Sequence, residues 1–210
     1  EKHDIEKAIY YLTMASNKNY IEAYSALGSI YFNKAFNHFD INKTIYYYTL
    51  AAEYGDSESQ LILGLIYLEN KDIPRNINQA IKYLDLAEKQ NNKSAQAQLG
   101  FLYYEGKHIT KNINKAIYYF EKAARQNDYF SQFYIGYIYY NGIYVPPDIN
   151  KAEYYFLLNE SNTNNSYAQF YLGMIYFRKN DIIKAIKYFT LSANQKNSHA
   201  QLYLGLYYLQ

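Results

Sequence analysis

The feature that most constrains the fold is a short motif that returns along the chain at a nearly constant spacing. A Leu-Gly or Ile-Gly pair, with a tyrosine three residues after the glycine, occurs six times in 210 residues. The glycines are Gly28, Gly64, Gly100, Gly136, Gly173 and Gly205, separated by 36, 36, 36, 37 and 32 residues. Between them lies a second motif, whose small residue is Ala8, Thr44, Ala80, Ala116, Ala152 or Ala185. This period, with two segments per unit, predicts a solenoid of helical hairpins in which each unit buries its apolar face against its neighbours.

The spacing of apolar residues within each segment indicates helix rather than strand. One copy of the second motif has apolar or small residues at Ala116, Ile117, Tyr119, Phe120, Ala123 and Ala124. These positions form the i, i+3, i+4, i+7 stripe of an α-helix, without a period of two. Shortly before each small residue stands an Asp or Asn where a helix N-cap is expected, namely Asp4, Asp40, Asn76, Asn112, Asp148 and Asp181. The prediction is an all-α fold of about twelve helices.

The glycine of the first motif lies in the middle of a predicted helix. Glycine there costs about 1 kcal/mol of helix propensity relative to alanine, so we expect each of these glycines to allow close approach of another helix. One copy of the second motif departs from the pattern, with Asn159 and Glu160 in place of small residues. We expect a local defect in the stacking at residues 159–166.

The unit at residues 95–128 resembles a Sel-1-like repeat, a longer relative of the tetratricopeptide repeat. The matching residues are Ala95, Leu99, Gly100, Tyr103, Gly106, Lys115, Ala116, Tyr119, Phe120, Ala123 and Ala124. The resemblance covers essentially the whole chain, and it implies a single array over residues 1–210, built as a right-handed α-solenoid of antiparallel helix pairs. It also implies a scaffold or adaptor that holds other proteins together. Near the C-terminus, the shorter connection "FRKNDI" between Gly173 and Ala185 resembles that of a tetratricopeptide hairpin.

Composition argues against several classes of function. The net charge is only +2 and the lysines are interspersed with acids, so neither nucleic acid nor an anionic membrane is an expected partner. No apolar run reaches the roughly 20 residues that span a bilayer, so we expect no direct membrane insertion. The absence of cysteine is consistent with a cytoplasmic protein, with the secretory-pathway lumen as the alternative.

Catalytic and cofactor motifs are also missing. The four histidines, His3, His38, His108 and His199, fall in different units, and none has a second histidine at helical ligand spacing. No glycine loop that would hold a phosphate and no nucleophile elbow occurs. We therefore expect a non-enzymatic protein with no cofactor and no metal site.

A candidate binding surface follows from the resemblance. In such arrays the helix that carries the glycine motif, here called the first-type helix of each unit, lines the concave side. Its positions three before, one after and four after the glycine point into the groove. These positions turn aromatic from the third unit to the fifth, and aromatic residues six before the glycine extend the patch. The predicted groove residues are Phe101, Tyr104, Phe130, Phe133, Tyr137, Tyr140, Tyr167, Phe170, Met174 and Phe177. Rigid aromatic side chains of this kind are typical of protein-binding hot spots.

An alternative interpretation is that many tyrosines fill the core. The chain has 30 tyrosines and no tryptophan, a bias that AT-rich coding DNA alone would produce. The tyrosines three after each glycine repeat in every unit and are predicted to be core residues: Tyr31, Tyr67, Tyr103, Tyr139, Tyr176 and Tyr208. For Tyr137 and Tyr140 the groove and the core remain equal alternatives, and Tyr134 has no assignment.

Two functions remain open from the sequence. The first is a scaffold or adaptor that binds a protein or peptide partner in the aromatic groove. The second is an architectural spacer or self-association module attached to a catalytic or signalling domain elsewhere. The array begins on a helix of the second motif and ends on a helix of the glycine motif, and neither end has a polar capping helix. Since solenoids normally need caps, we expect either a longer array or ends that pack on a partner, including end-to-end self-association.

Overall fold

The computed structural model describes residues 4–209, apart from the side chain of Asn162, and over these residues it contains α-helices and no strand. The helices are α1 (Ile5–Ser16), α2 (Ile21–Phe32), α3 (Ile41–Glu53), α4 (Ser57–Glu69), α5 (Ile77–Lys89), α6 (Lys93–Glu105), α7 (Ile113–Ala124), α8 (Tyr129–Asn141), α9 (Ile149–Thr163), α10 (Ser166–Arg178), α11 (Ile182–Asn194) and α12 (Ser198–Tyr208). Even-numbered helices carry the repeat glycine and are called first-type helices below, and odd-numbered helices are called second-type. Helices pack in antiparallel pairs such as α2 with α3, α4 with α5, α8 with α9 and α10 with α11, which confirms an all-α solenoid of helical hairpins.

The chain forms two compact units. Unit 1 comprises residues up to 102 together with 106–110, and unit 2 comprises residues 103–105 together with those from 111 onward. Helix α6 therefore contributes to both units. Each unit has its own buried residues: Leu27, Leu63, Leu84 and Leu99 are fully buried in unit 1, and Phe120, Ile135, Phe156 and Leu172 in unit 2.

The predicted N-caps are confirmed in all six second-type helices. In each, the Asp or Asn side chain accepts a hydrogen bond from a backbone N–H two or three residues further on. At α7, for example, the Lys115 N–H donates to Asn112 Oδ1 at 3.0 Å. Five first-type helices are capped in the same way, by Asp56, Asn92, Asp128, Asn165 and Asn197, whereas Tyr20 before α2 makes no such bond. Each cap contributes about 1 kcal/mol, so the helix starts are strongly specified.

The glycine prediction is also confirmed. A Cβ atom built on Gly136 would lie 2.9 Å from the Phe156 ring, and one on Gly28 would lie 2.9 Å from the Tyr48 ring. Gly64 and Gly173 are equally close to side chains of the following helix, Leu84 and Phe189. Gly205, in α12, has nothing within 4 Å of the same position. The absence of a side chain at Gly28, Gly64, Gly136 and Gly173 therefore lets these four first-type helices approach the next helix closely.

In three first-type helices, a glutamine four residues before the glycine ties the helix to the one before it. The Nε2 atoms of Gln60, Gln132 and Gln201 donate to the carbonyls of Ala52, Ala124 and Ala193, at 3.0, 3.4 and 3.2 Å. Each acceptor lies eight residues earlier in the chain. This polar link satisfies carbonyls near the end of the preceding helix, and the sequence patterns above did not reveal it.

The tetratricopeptide-like connection is present between α10 and α11. It spans residues 179–181 only, whereas the connection between α8 and α9 spans 142–148. Val145 of the longer connection lines a cavity together with Ile117 of α7. The position of Ile117 is taken by Glu153 in α9, which binds Lys179 and Tyr176 instead. Beside the shorter connection, this repeat position thus carries a carboxylate that pairs with Lys179 of the connection.

The irregular segment in α9 is accommodated within the helix stack. Asn159 is 1 % exposed, and its Nδ2 donates to the carbonyl of Tyr129 at 2.6 Å. Helix α9 runs for 15 residues and ends at Asn164, whose φ is positive at 51°. Asn159 therefore occupies the buried position of the small residue and links α9 to α8, in place of the local defect that we expected.

Candidate protein-interaction surface

The predicted groove residues lie in unit 2, except for Phe101, which belongs to unit 1 and is half-buried. Three are well exposed: Phe130 at 44 %, Tyr167 at 58 % and Phe177 at 49 %. Others are half-buried, namely Tyr104, Phe133, Tyr137, Phe170 and Met174. Tyr140 is only 8 % exposed and belongs to the hydrophobic core of unit 2. The residues of this set that lie in unit 2, without Tyr140 but together with Tyr171, which packs among them, are called the aromatic face below.

Tyr171 is the centre of the aromatic face, and the sequence did not single it out. Its ring centroid lies 5.6 Å from that of Tyr137 and 5.0 Å from that of Tyr140, both edge to face. On its core side, the Tyr171 ring stacks on the fully buried Phe156 ring, with 5.1 Å between centroids and an interplanar angle of 6°. Phe133 contacts the same ring at 6.2 Å. Tyr171 therefore joins exposed aromatic residues to the core beneath them.

The same stack occurs three times in unit 2. The residue two before the glycine lies over a second-type aromatic ring in the pairs Tyr134 with Phe120, Tyr171 with Phe156, and Tyr203 with Phe189. In unit 1 the corresponding residues are Ala26, Ile62 and Gln98. This change at one repeat position is the signal that could have revealed Tyr134 and Tyr171. These stacked ring pairs lie between the aromatic face and the second-type helices and support the aromatic face.

The tyrosines three after the glycine form a different, structural layer. Tyr31, Tyr67, Tyr103 and Tyr176 each stack on a tyrosine of the following helix, with interplanar angles of 3°, 4°, 8° and 7°. A lysine lies over four rings of this set, Tyr31, Tyr103, Tyr139 and Tyr176, at 4.7 to 5.0 Å from the centroid. All are buried or half-buried except Tyr208, which is 71 % exposed. The predicted core role is thus confirmed for Tyr31 and Tyr176, which are buried, whereas Tyr67, Tyr103 and Tyr139 are half-buried and Tyr208 is exposed.

The electrostatics of the aromatic face come from phenol groups and two cations. Burial raises the pKa of Tyr171 to about 12, with further contributions from Tyr137 and Tyr140. Burial likewise raises the pKa of Tyr104 to about 12, with Tyr137 and Tyr134 adding to it. The Arg178 guanidinium lies 4.6 Å from the Tyr140 ring, and Lys111 lies 5.7 Å from the Tyr104 ring. These phenols are neutral at physiological pH, so the surface is polar but uncharged except for its cationic edge.

No constellation suited to metal binding occurs among residues 4–209, where no group of three or more His, Asp or Glu side chains converges. His108 lies 2.9 Å from Arg75 Nη1, and His199 contacts the ring of Phe170 at 5.7 Å. His3 lies outside the described residues. None of the helices described here has both the length and the hydropathy required to cross a membrane.

Comparison with known families gives a match along most of the chain. The model of the Sel1 repeat matches at residues 1–20, 21–56, 57–92, 93–128, 130–158 and 166–197. The matched segments agree with the hairpins seen in the structure. A search of curated proteins found no significant match.

Solved structures share the same architecture. A protective antigen present in uropathogenic Escherichia coli strains, with an SLR fold, superposes with a TM-score of 0.84 at 26% identity, over 93% of this chain and 43% of that one. A Sel1 repeat protein from Oxalobacter formigenes gives a TM-score of 0.75 at 24% identity, over 97% of this chain and 60% of that one. One from Klebsiella pneumoniae gives 0.53 at 22% identity, over 86% and 89%. The chain thus spans about half the length of the first two.

Proposed function

Because the chain belongs to the Sel1 repeat family, whose members are generally non-catalytic scaffolds that mediate protein–protein interaction, we propose that it is a non-enzymatic adaptor that binds a protein partner through the aromatic face of unit 2. The repeat scaffold holds first-type helices α8 and α10 side by side. A peptide segment of the partner would lie across them.

The observation that carries this proposal is the exposure of large rings on a rigid support. Phe130 and Tyr167 occupy the same repeat position, six before the glycine, and are 44 % and 58 % exposed. Phe130 packs on Tyr134 at 4.4 Å between centroids, and Tyr167 contacts Phe133 at 6.4 Å. Held rings lose little conformational entropy on binding and bury a large area, which is how hot-spot residues contribute affinity.

Selection from a displayed library of random peptides tests this function. Peptides selected on the whole chain are measured against Tyr167→Ala and Tyr118→Ala by fluorescence anisotropy. Tyr118 is a matched control because it is 55 % exposed and lies in unit 2, but on second-type helix α7. We expect Tyr167→Ala to weaken binding about tenfold or more and Tyr118→Ala to leave it unchanged. Equal affinity for both variants would place binding elsewhere.

A second candidate function, self-association, is favoured by the exposure of α1 and α12. Ala8 and Leu12 in α1 are half-buried, whereas the same repeat positions in the other second-type helices are buried, as in Ala116 and Phe120. In α12, Leu202 and Leu206 are 59 % and 54 % exposed. The side of α1 that a first-type helix would cover and the side of α12 that a second-type helix would cover are therefore complementary between copies.

Sedimentation velocity over a range of concentrations tests self-association. Head-to-tail packing predicts a series of oligomers that grow with concentration, because such an interface does not close on itself. The variant Leu206→Glu should return the chain to a monomer, while Ile183→Glu, at an 85 % exposed site on α11, should not. A wild-type monomer at all concentrations would contradict this function and leave the aromatic-face proposal intact.

A further inference from the structure

The aromatic face differs from an ordinary apolar groove because its rings carry hydroxyl groups that lie close together. The rings of Tyr137, Tyr140 and Tyr171 contact one another, and Tyr104 contacts Tyr134 at 5.2 Å between centroids. A hydrogen bond with Tyr137 stabilises the protonated form of Tyr171. Tyr104 also lies near enough to Tyr171 to contribute to the raised pKa of Tyr171. A bound ligand would therefore meet a surface of ring faces with a row of phenol groups.

This chemistry disfavours an amphipathic helix as the ligand. An aliphatic helix face would cover the phenol groups and offer them no hydrogen-bond partner, since helix carbonyls are already paired within the helix. Each polar group buried without a partner costs about 1–3 kcal/mol. A polyproline II segment has no internal hydrogen bonds, so its carbonyls are free to accept from phenol O–H groups. Its pyrrolidine rings suit aromatic-lined grooves, as in other domains that bind proline-rich segments.

The charged residues near the aromatic face indicate the sign of the charge that the ligand carries. Helix α8 contains no Asp, Glu, Lys or Arg, and α10 contains only Arg178. Arg178 is exposed, lies 4.6 Å from the Tyr140 ring, and makes no ion pair with any carboxylate of the described residues. A guanidinium held against an aromatic ring is positioned to form a bidentate hydrogen bond with a carboxylate. An acidic residue beside the proline-rich segment would complement it.

We propose that the aromatic face of unit 2 binds a proline-rich segment in the polyproline II conformation, with an acidic residue of the ligand directed to Arg178. This inference rests on the proposed function and specifies its ligand class. Tyr137 accepts the hydrogen bond from Tyr171 and donates its own O–H to a ligand carbonyl, the rings of Phe130 and Tyr167 pack against prolines, and Arg178 determines the direction in which the segment lies.

Three fluorescein-labelled peptides test the inference by anisotropy with the whole chain. The first has about ten prolines followed by two aspartates, the second has two lysines in place of the aspartates, and the third is an amphipathic helix of equal length ending in two aspartates. We expect the first to bind about tenfold more tightly than the second. Arg178→Gln should abolish that preference, while Lys187→Gln, on second-type helix α11, should preserve it. The double variant Tyr137→Phe with Tyr171→Phe retains the rings and should weaken the first peptide about fivefold.

Several results would overturn the inference without affecting the proposed function. These are tight binding of the helical peptide with none of the proline peptides, proline binding unaffected by the double variant, or failure of all three peptides while display-selected peptides still bind at Tyr167. Failure of the display-selected peptides as well would overturn both. Thermal unfolding of each variant separates lost contacts from lost folding.

Discussion

Units 1 and 2 are built on the same repeat but carry different surfaces. Both have the N-caps, the mid-helix glycines and the tyrosines three after them. Six residues before the glycine, however, unit 1 has Glu22, Glu58 and Ser94, whereas unit 2 has Phe130, Tyr167 and His199. Positions shared by the units are those that folding requires, and positions that differ are free to encode binding. The comparison separates scaffold from surface within a single chain.

The largest expected effect compares the buried ring of Phe156 in unit 2 with a buried leucine, Leu84, in unit 1. Phe156 and Leu84 occupy the same repeat position, and both are fully buried. Phe156→Ala should cost about 3–5 kcal/mol and Leu84→Ala about 2–5 kcal/mol of unfolding free energy. Phe156 also supports Tyr171, so only Phe156→Ala should weaken peptide binding. Urea unfolding and anisotropy measure the two quantities, and loss of binding in both variants would contradict the separation of units.

The glycines offer a test of what the units share. Gly136→Ala and Gly28→Ala each place a methyl group 2.9 Å from a ring. Overpacking of about 1–3 kcal/mol should exceed the gain of about 1 kcal/mol in helix propensity, so both variants should be less stable. Gly205→Ala meets no atom within 4 Å and should be neutral or stabilising. The denaturant midpoints of the three variants, compared with that of the wild type, measure these changes in stability. Stabilisation by Gly136→Ala would show that close packing is not the reason for the glycine.

Making unit 2 resemble unit 1 at the surface is expected to affect binding more than stability. In the double variant Phe130→Glu with Tyr167→Glu, both new carboxylates lie in the first turn of a helix, where the helix dipole favours them. Stability should change by no more than about 0.5 kcal/mol per site, while binding of display-selected peptides is lost. A large fall in melting temperature would instead show that these rings are part of the core.

The Glu153 and Lys179 pair is a smaller difference between the units. Burial alone would raise the pKa of Glu153, but hydrogen bonds from Lys179 and Tyr176 outweigh burial and hold the pKa below its ordinary value. Lys179→Met should cost about 0.5–1 kcal/mol, because the pair is partly exposed. A double-mutant cycle with Glu153→Gln measures the coupling, and zero coupling would mean that the short connection is stable without this pair.

The smallest expected effect is on alkaline stability. Burial raises the pKa of Tyr171 in the folded protein to about 12, from an ordinary value of 10.0. Its contribution to stability is therefore complete below pH 10 and is lost as the pH rises through about 12, because the unfolded chain releases the proton first. Tyr171→Phe should reduce the fall in melting temperature across this range. An identical pH profile for Tyr171→Phe would contradict the assigned environment.

The sequence predicted the elements that repeat and missed those that vary. The regularly spaced glycines, the small residues and the Asp or Asn caps of the second-type helices recur along the chain, so periodicity sufficed to locate the helices and their starts. Tyr171 was missed because tyrosine at its position occurs only in unit 2, where no repeated pattern identifies it. The burial of Tyr140 was left open because one repeat position is buried at Leu68 and exposed at Phe177. Neighbouring helices, rather than the residue itself, determine which outcome holds.

The most direct test of the account is to observe which tyrosines a bound peptide touches. The whole chain, labelled with carbon-13 in its tyrosine rings and assigned by single Phe substitutions, is titrated with a display-selected peptide and followed by NMR. We predict shifts for Tyr104, Tyr137, Tyr167 and Tyr171, and none for the exposed second-type tyrosines Tyr46, Tyr118 and Tyr154. Shifts confined to the second-type set would contradict the claim that the aromatic face of unit 2 is the binding surface.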